Sequence, residues 1–323
     1  MKKAFILGCL LAGVVIAFLI RFLPPNDDFH LDNPFWNGLK TFQEKTQGSS
    51  LSYISDIDFV AFPAETCLFI IGPSGSYSAR EIASIERYLR AGGLLILTDD
   101  FGSGNLILEG LGLKTRFSHQ LVIDPLFRGK SSVLVKSVDF SGPLADIKSL
   151  MFNFPTFLQV ERGEGRVFAT SSSFSISRDS LVQDEASAGQ EGPFPMVAEI
   201  TYGAGKIYLI ADSSLFINSM LGEEENEKLL QTITQDKKIF IDTSHHPKGL
   251  LAKMQSTMIA LYQITSRFEI RYSLFLVLVI AVLWLKVKKR KVVEDEDIEA
   301  ILKRHPAWDK NTLVKLKKER FNE

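Results

Sequence analysis

TCLFIIGPSGSYSAREIASIERYLRAGGLLILTDD, residues 66–100, decides the fold class. It opens with a short apolar run that ends in Gly72-Pro73-Ser74-Gly75. A helical pattern follows, with Ile82, Ile85, Tyr88 and Leu89 on one face. Ser78 stands where an N-cap is needed, and Glu81 holds the capping-box position. Gly92-Gly93 stops the helix. LLILTDD, residues 94–100, is a second apolar strand. A strand, a helix and a strand in this order imply two parallel strands joined by a crossover helix.

The same alternation extends outward. Phe35, Leu39 and Phe42 recur at helical spacing, and a strand is expected near Ser52–Phe59. GSGNLILEGLGL, residues 102–113, reads as a short helix. After a more irregular middle, strands are expected near 166–170, 196–201 and 206–211. The last two are joined by a hairpin turn at Gly203-Ala204-Gly205. Residues 175–195, rich in Ser, Gly, Asp and Glu, read as a loop. A helix over 223–233 precedes the final strand, KKIFID. The expectation is one α/β domain over 24–250, with an open sheet and β-hairpin additions.

The 323 residues carry 46% hydrophobic and 23% charged side chains, with a formal net charge of −1. That is enough apolar material for a core, and nothing in the balance points to nucleic acid. The two cysteines, Cys9 and Cys67, are too few for a cysteine metal site.

Two apolar runs frame the chain. Ala4–Leu23 reads as an uncleaved transmembrane anchor, with a cleaved signal peptide as the rival. Tyr272–Val287 reads as a second transmembrane helix, preceded by an amphipathic connecting helix over 251–271. Lys286, Lys288, Lys289, Arg290 and Lys291 form a basic cluster, and Lys2 and Lys3 precede the first run. The positive-inside rule then places both termini in the cytoplasm and residues ~24–270 outside it. Residues 288–323 are expected as a charged cytoplasmic tail at the lipid surface.

Candidate site residues lie at strand ends, where open α/β sheets bind ligands. Asp99 and Asp100 follow one strand and could bind a cation or cap the next helix. Asp212, Ser213 and Asn218 follow another, without the Gly-x-Ser-x-Gly elbow of a nucleophilic serine. Asp242 ends the last strand, and His245-His246 follow it. These could bind a metal, act in acid–base chemistry, or form a structural or contact loop. No P-loop and no dinucleotide fingerprint is present, and no cofactor is expected.

NPFWNGLKTF, LFIIGPSGSYSAREIASIERYLRAGGLLILTDDFGSGN, YGAGKIYLIADSSLFINSMLGEEEN and IFIDTSHH occur in that order. In this the chain resembles the membrane proteins grouped as domain of unknown function 4350. The resemblance implies a flavodoxin-like, class I glutamine-amidotransferase-like fold without the amidotransferase triad. No cysteine stands at the strand-to-helix elbow, and Thr243 stands where the family often has Glu. The resemblance further implies a prokaryotic source and partners in a MoxR-type ATPase-associated system. The expected function is therefore a non-enzymatic binding or assembly component of a membrane complex. The alternative is an extracytoplasmic metal-dependent hydrolase that uses the Asp/His cluster.

Overall fold

The computed structural model describes residues 2–179, 189–246 and 249–320. The helices are α1 (Lys2–Phe22), α2 (Lys40–Thr46), α3 (Ala79–Arg90), α4 (Gly104–Gly110), α5 (Asn226–Thr234), α6 (Leu250–Ser266), α7 (Phe268–Arg304) and α8 (Lys310–Arg320). The strands are β1 (Ser49–Leu51), β2 (Thr66–Ile71), β3 (Leu94–Thr98), β4 (Arg116–Phe117), β5 (Leu121–Ile123), β6 (Leu134–Ser137) and β7 (Asp139–Phe140). They continue with β8 (Leu150–Asn153), β9 (Leu158–Gln159), β10 (Gly165–Thr170), β11 (Ile176–Arg178), β12 (Pro195–Tyr202), β13 (Gly205–Ile210) and β14 (Lys238–Asp242).

Eight strands form the central sheet in the order β1-β14-β2-β3-β13-β12-β10-β7. The first five are mutually parallel, and the last three join them antiparallel. Every side chain of β2 and β3 is buried. Both faces of the sheet are therefore covered there, which is why these strands read as unbroken apolar runs. The β2–α3–β3 crossover is as expected, and so is the hairpin between β12 and β13.

Helix α3 buries Ile85, Tyr88 and Leu89, with Ile82 half-buried. Its capping box is complete: the Glu81 N–H donates to Ser78 Oγ at 3.3 Å, and the Ser78 N–H donates to Glu81 Oε2 at 2.8 Å. The helix ends where Gly92 takes φ +94°, a conformation costly for any residue with a side chain. The core also holds an aromatic cluster. Phe42 of α2 meets Phe69 of β2 at 5.0 Å and Phe216 at 5.6 Å between ring centroids.

Several expectations are corrected. The strand expected at Ser52–Phe59 ends at Leu51, and Ile54–Phe59 is a 3-10 helix. Ile54 and Ile57, three apart, share its buried side, a spacing that suits a 3-10 turn. Part of the expected 175–195 loop is strand: β11 pairs antiparallel with β5. The middle of the chain supplies three two-stranded sheets, β11–β5, β4–β9 and β6–β8. Their strands are too short for a period to register in the sequence.

The expected two-pass topology is overturned. Among the described residues, no helix is long and apolar enough to cross a membrane. The apolar run of α1 between Lys3 and Arg21 gives about 25 Å of helix, and that between Arg271 and Lys286 about 21 Å, against a hydrocarbon core of ~30 Å. The run over 272–287 is also not a separate element, because α7 continues through it to Arg304. The side chains of Lys286, Lys288, Lys289, Arg290 and Lys291 lie outside the described residues.

The chain divides into two compact units, Met1–Met254 and Gln255–Glu323. Within the second, Trp308 stacks on His305 at 4.5 Å, and Asp309 caps α8 by accepting the Thr312 N–H at 2.9 Å.

Candidate functional site

Register places the candidate residues. Ile71, Thr98 and Ile210 are paired across β2, β3 and β13, so Gly72, Asp99 and Ala211 each stand one residue past a strand end. Asp242 ends β14, on the other side of β2. The chain leaves β2 toward β3 through α3, whereas it reaches β14, the neighbour of β2 on the other side, from β13 through α5. The crevice beside β2 thus lies at the carboxyl edge of the parallel strands, the edge at which open α/β sheets take ligands.

Asp99 and its neighbours form the first of two groups along this edge. Asp99 is fully buried. Its Oδ1 accepts N–H bonds from Asp100 and Gly102 at 2.9 Å each, and its Oδ2 accepts one from Gly104 at 2.7 Å. Both oxygens are thereby committed to the turn into α4. Asp100 accepts from Ser213 Oγ at 2.7 Å. Burial pushes the Asp100 carboxyl up, against the pull of that hydroxyl. Asp212 accepts the N–H groups of Asn153 at 2.7 Å and Ser214 at 2.6 Å. Burial, and then the charge of Asp100, raise it well above the ordinary carboxylate range. This group braces the ends of β3, β8 and β13.

The second group surrounds His245. Its Nδ1 lies 3.0 Å from Asp242 Oδ2, and Ser244 Oγ donates to Asp242 Oδ1 at 2.5 Å. The Nε2 side faces Glu81 Oε1 at 3.6 Å. Tyr77 stacks on the imidazole with centroids 3.9 Å apart. Ser74 clamps the backbone, its N–H and Oγ both donating to the His245 carbonyl at 2.8 and 2.9 Å. His246 turns the other way and donates from Nε2 to the Ile71 carbonyl at 2.6 Å.

Electrostatics separates these neighbours. Burial opposes charge on Asp242, but hydrogen bonds from His245 and Ser244 outweigh it and hold the carboxyl below its ordinary value. Burial likewise opposes charge on His245. The Asp242 bond, the Asp242 and Glu81 charges and the Ser76 carbonyl outweigh it and raise the imidazole. For His246, burial wins and the imidazole is lowered. Tyr77 lies in the field of Asp242, Asp99 and Glu81, between the two groups. Burial first, and then those charges, push its phenol above its ordinary range, and its hydroxyl has no hydrogen-bond partner among the described residues.

A cleft of about 640 Å³ opens beside this group, lined among others by Asp28, His30, Ser50, Tyr53, Glu81 and His245. Asn218 serves elsewhere. It accepts the Thr41 N–H at 2.8 Å and donates to the carbonyls of Asn33 at 2.9 Å and Phe35 at 2.6 Å, stitching the segment before α2 to the domain. Among the described residues, no three His, Cys, Asp or Glu side chains form a group that could hold a metal ion. The residues missed in the sequence are Ser74, Tyr77 and His30. Glu81 was legible only as a cap; nothing local signals that its second oxygen faces His245.

Fold and site together define a mixed α/β domain with a large central sheet and a polar cleft at its carboxyl edge. The chain belongs to the family described as domain of unknown function (DUF4350), whose model matches residues 32–234. Asp242, His245 and His246 lie just beyond that match. No curated protein matches the chain. Among solved structures, the mmIFT52 N-terminal domain is similar at 16% identity and TM-score 0.41, covering 52% of this chain and 75% of that one. A ThuA-like protein from Bacteroides uniformis is similar at 11% identity and TM-score 0.34, covering 58% and 77%. The exo-beta-1,4-mannosidase Op5Man5 from Opitutaceae bacterium strain TAV5 is similar at 12% identity and TM-score 0.30, covering 55% of this chain. This chain spans only 25% of that mannosidase's length.

Proposed function

We propose that the chain is a non-catalytic binding domain on a flavodoxin-like, amidotransferase-like sheet, with its ligand taken up in the cleft beside His245 and Glu81. The observation that carries this reading is the state of the hydroxyls and thiol nearest an elbow nucleophile position. Cys67 stands at the start of β2, the far end from the edge, and is fully buried, with burial pushing its thiol up. Ser74, in the turn after β2, spends its hydroxyl on the His245 carbonyl. Ser244 lines the cleft but spends its own on Asp242, on the Nδ1 side of the imidazole. His245 is thus left as a recognition group rather than as the base of a serine or cysteine nucleophile.

One observation favours a second reading. Asp242 at Nδ1 with Nε2 turned toward a cleft is the arrangement that orients a general base. That reading needs water as the nucleophile. A protein partner in a MoxR-type ATPase-associated system is part of the leading proposal, and the family resemblance is its support.

The test pairs two measurements on the full chain: a thermal-shift screen of small metabolites, and an ester, amide and glycoside hydrolysis panel. A ligand that raises Tm in wild type but not in Glu81→Gln, with no turnover, supports the binding reading. Turnover abolished by His245→Asn overturns it.

A further inference from the structure

The cleft beside His245 is walled by the N-terminal segment at 27–32, by residues at and just past the end of β1, and by Glu81 and residues 243–246. The donors along the sheet edge are already spent. Thr243 Oγ1 donates to the Leu51 carbonyl at 2.8 Å, and Ser244 Oγ donates to Asp242 at 2.5 Å. His246 donates to the Ile71 carbonyl, and His245 lies between Asp242 and Glu81.

The acceptors of the wall are not spent in the same way. Asp27 Oδ1 accepts the Gly249 N–H at 3.1 Å. Its Oδ2 is enclosed and has no hydrogen-bond partner among the described residues. Asp28 accepts from the uncharged Asn37 amide. Asp32 gives its N–H to His30 Nδ1 at 3.1 Å. Among the described residues, none of these three carboxylates forms an ion pair. Glu81 brings a further carboxylate, and the His245 imidazole it faces already has Asp242 against it. Among the described residues, no Lys or Arg lines the cleft. Phe29 and Tyr53 bring aromatic rings to the same lining, and aromatic faces add attraction for a cation.

We propose that the cleft binds a ligand bearing an ammonium or guanidinium group, recognised by the carboxylates of Asp27, Asp28, Asp32 and Glu81. The cation occupies the cleft already assigned to the ligand, so the proposal rests on that reading. A cation supplies what the wall lacks, namely N–H donors for open carboxylate oxygens and a charge opposite to theirs. A neutral polyol supplies donors without the charge. An anionic ligand would meet the same carboxylates with no basic side chain to offset them. A volume of about 640 Å³ holds a small molecule or one long side chain. The cation is therefore a free amine or the Lys or Arg side chain of a partner protein.

The experiment is titration calorimetry of the full chain at about pH 7.5, where ordinary histidines are uncharged, and at low salt. Cadaverine, agmatine and spermidine are the free amines. Nα-acetyl-lysine amide and Nα-acetyl-arginine amide stand in for a partner's side chain. Pentanediol and glutarate are the neutral and anionic controls of matched length. A cation should bind where both controls do not, and about tenfold more salt should weaken it. Tighter binding by either set of cations supports the proposal and assigns the source. Asp28 and Asp32 are exposed, and the aspartate-to-asparagine change at position 28 keeps an oxygen for Asn37. Asp28→Asn and Asp32→Asn should each weaken the cation about two- to fivefold. Glu109→Gln, an exposed acid on α4, should leave the affinity unchanged. Affinity unchanged in the Asp28→Asn/Asp32→Asn double variant overturns the proposal. Glutarate or pentanediol bound as tightly as cadaverine, with that affinity lost in Glu81→Gln, overturns the cationic class and leaves the cleft as the ligand site. Absence of binding by every cation also overturns it. The thermal-shift screen then separates the two readings, since a ligand of another class that depends on Glu81 keeps the cleft and its absence removes both.

Discussion

Asp242 shows how one carboxylate can be both buried and ionised. It is 1% exposed, yet its two oxygens accept from Ser244 and His245. Removing its charge leaves His245 without its main counter-charge. Asp242→Asn should cost about 1–3 kcal/mol in urea unfolding near neutral pH. Because the folded carboxyl is depressed, its contribution is present above about pH 4 and is lost as pH falls through the folded value. The gap between wild type and variant should therefore close in acid. Gly104 is a second residue with a defined burden. A Cβ there would stand 2.7 Å from Asp99 Oδ2 and 2.9 Å from Asp99 Cβ. Gly104→Ala should destabilise by about 1–3 kcal/mol, read as a lower urea midpoint at unchanged m.

At the scale of elements, α3 is the most legible piece and also hides the most. Its cap, its buried face and its glycine stop were all written locally. Ser78→Ala should cost about 1 kcal/mol through the lost cap. It also frees Glu81, so the His245 ring titration should move in the same experiment. A cap that served α3 alone would leave that titration in place. The short strands β4 to β9 lie at the opposite extreme. They pair through backbone bonds over two to four residues, too few for alternation to be read. The apolar frames over 4–23 and 272–287 show a third case, in which composition suggested length that the helices do not supply.

At the scale of the whole domain, contacts between distant segments hold the N-terminal stretch onto the sheet. Phe42, Phe69 and Phe216 meet from three parts of the chain, with the last pair 5.7 Å apart. Phe216→Ala should cost about 3–5 kcal/mol, read by denaturant unfolding of the full chain. Asn218→Ala strands the Thr41 N–H and two carbonyls. It should loosen residues 33–41 in hydrogen exchange while leaving the His245 edge protected, because its bonds go to the other segment.

The sequence by itself determined the parallel core. Residues 66–100 carry a cap, a 3.6-residue period and two uniformly apolar runs, all local properties that survive outside any tertiary context. It also placed Asp99, Asp212 and Asp242 at strand ends. Only the tertiary structure decided what those positions do. Whether a carboxylate caps a turn, shares a field with another acid or charges a histidine depends on which strand ends lie side by side. Strand order brings β14 next to β2 across the whole length of the domain, and no local pattern encodes it. That juxtaposition sets His245 against Glu81 and His246 against Ile71, and so tunes two adjacent, identical side chains in opposite directions.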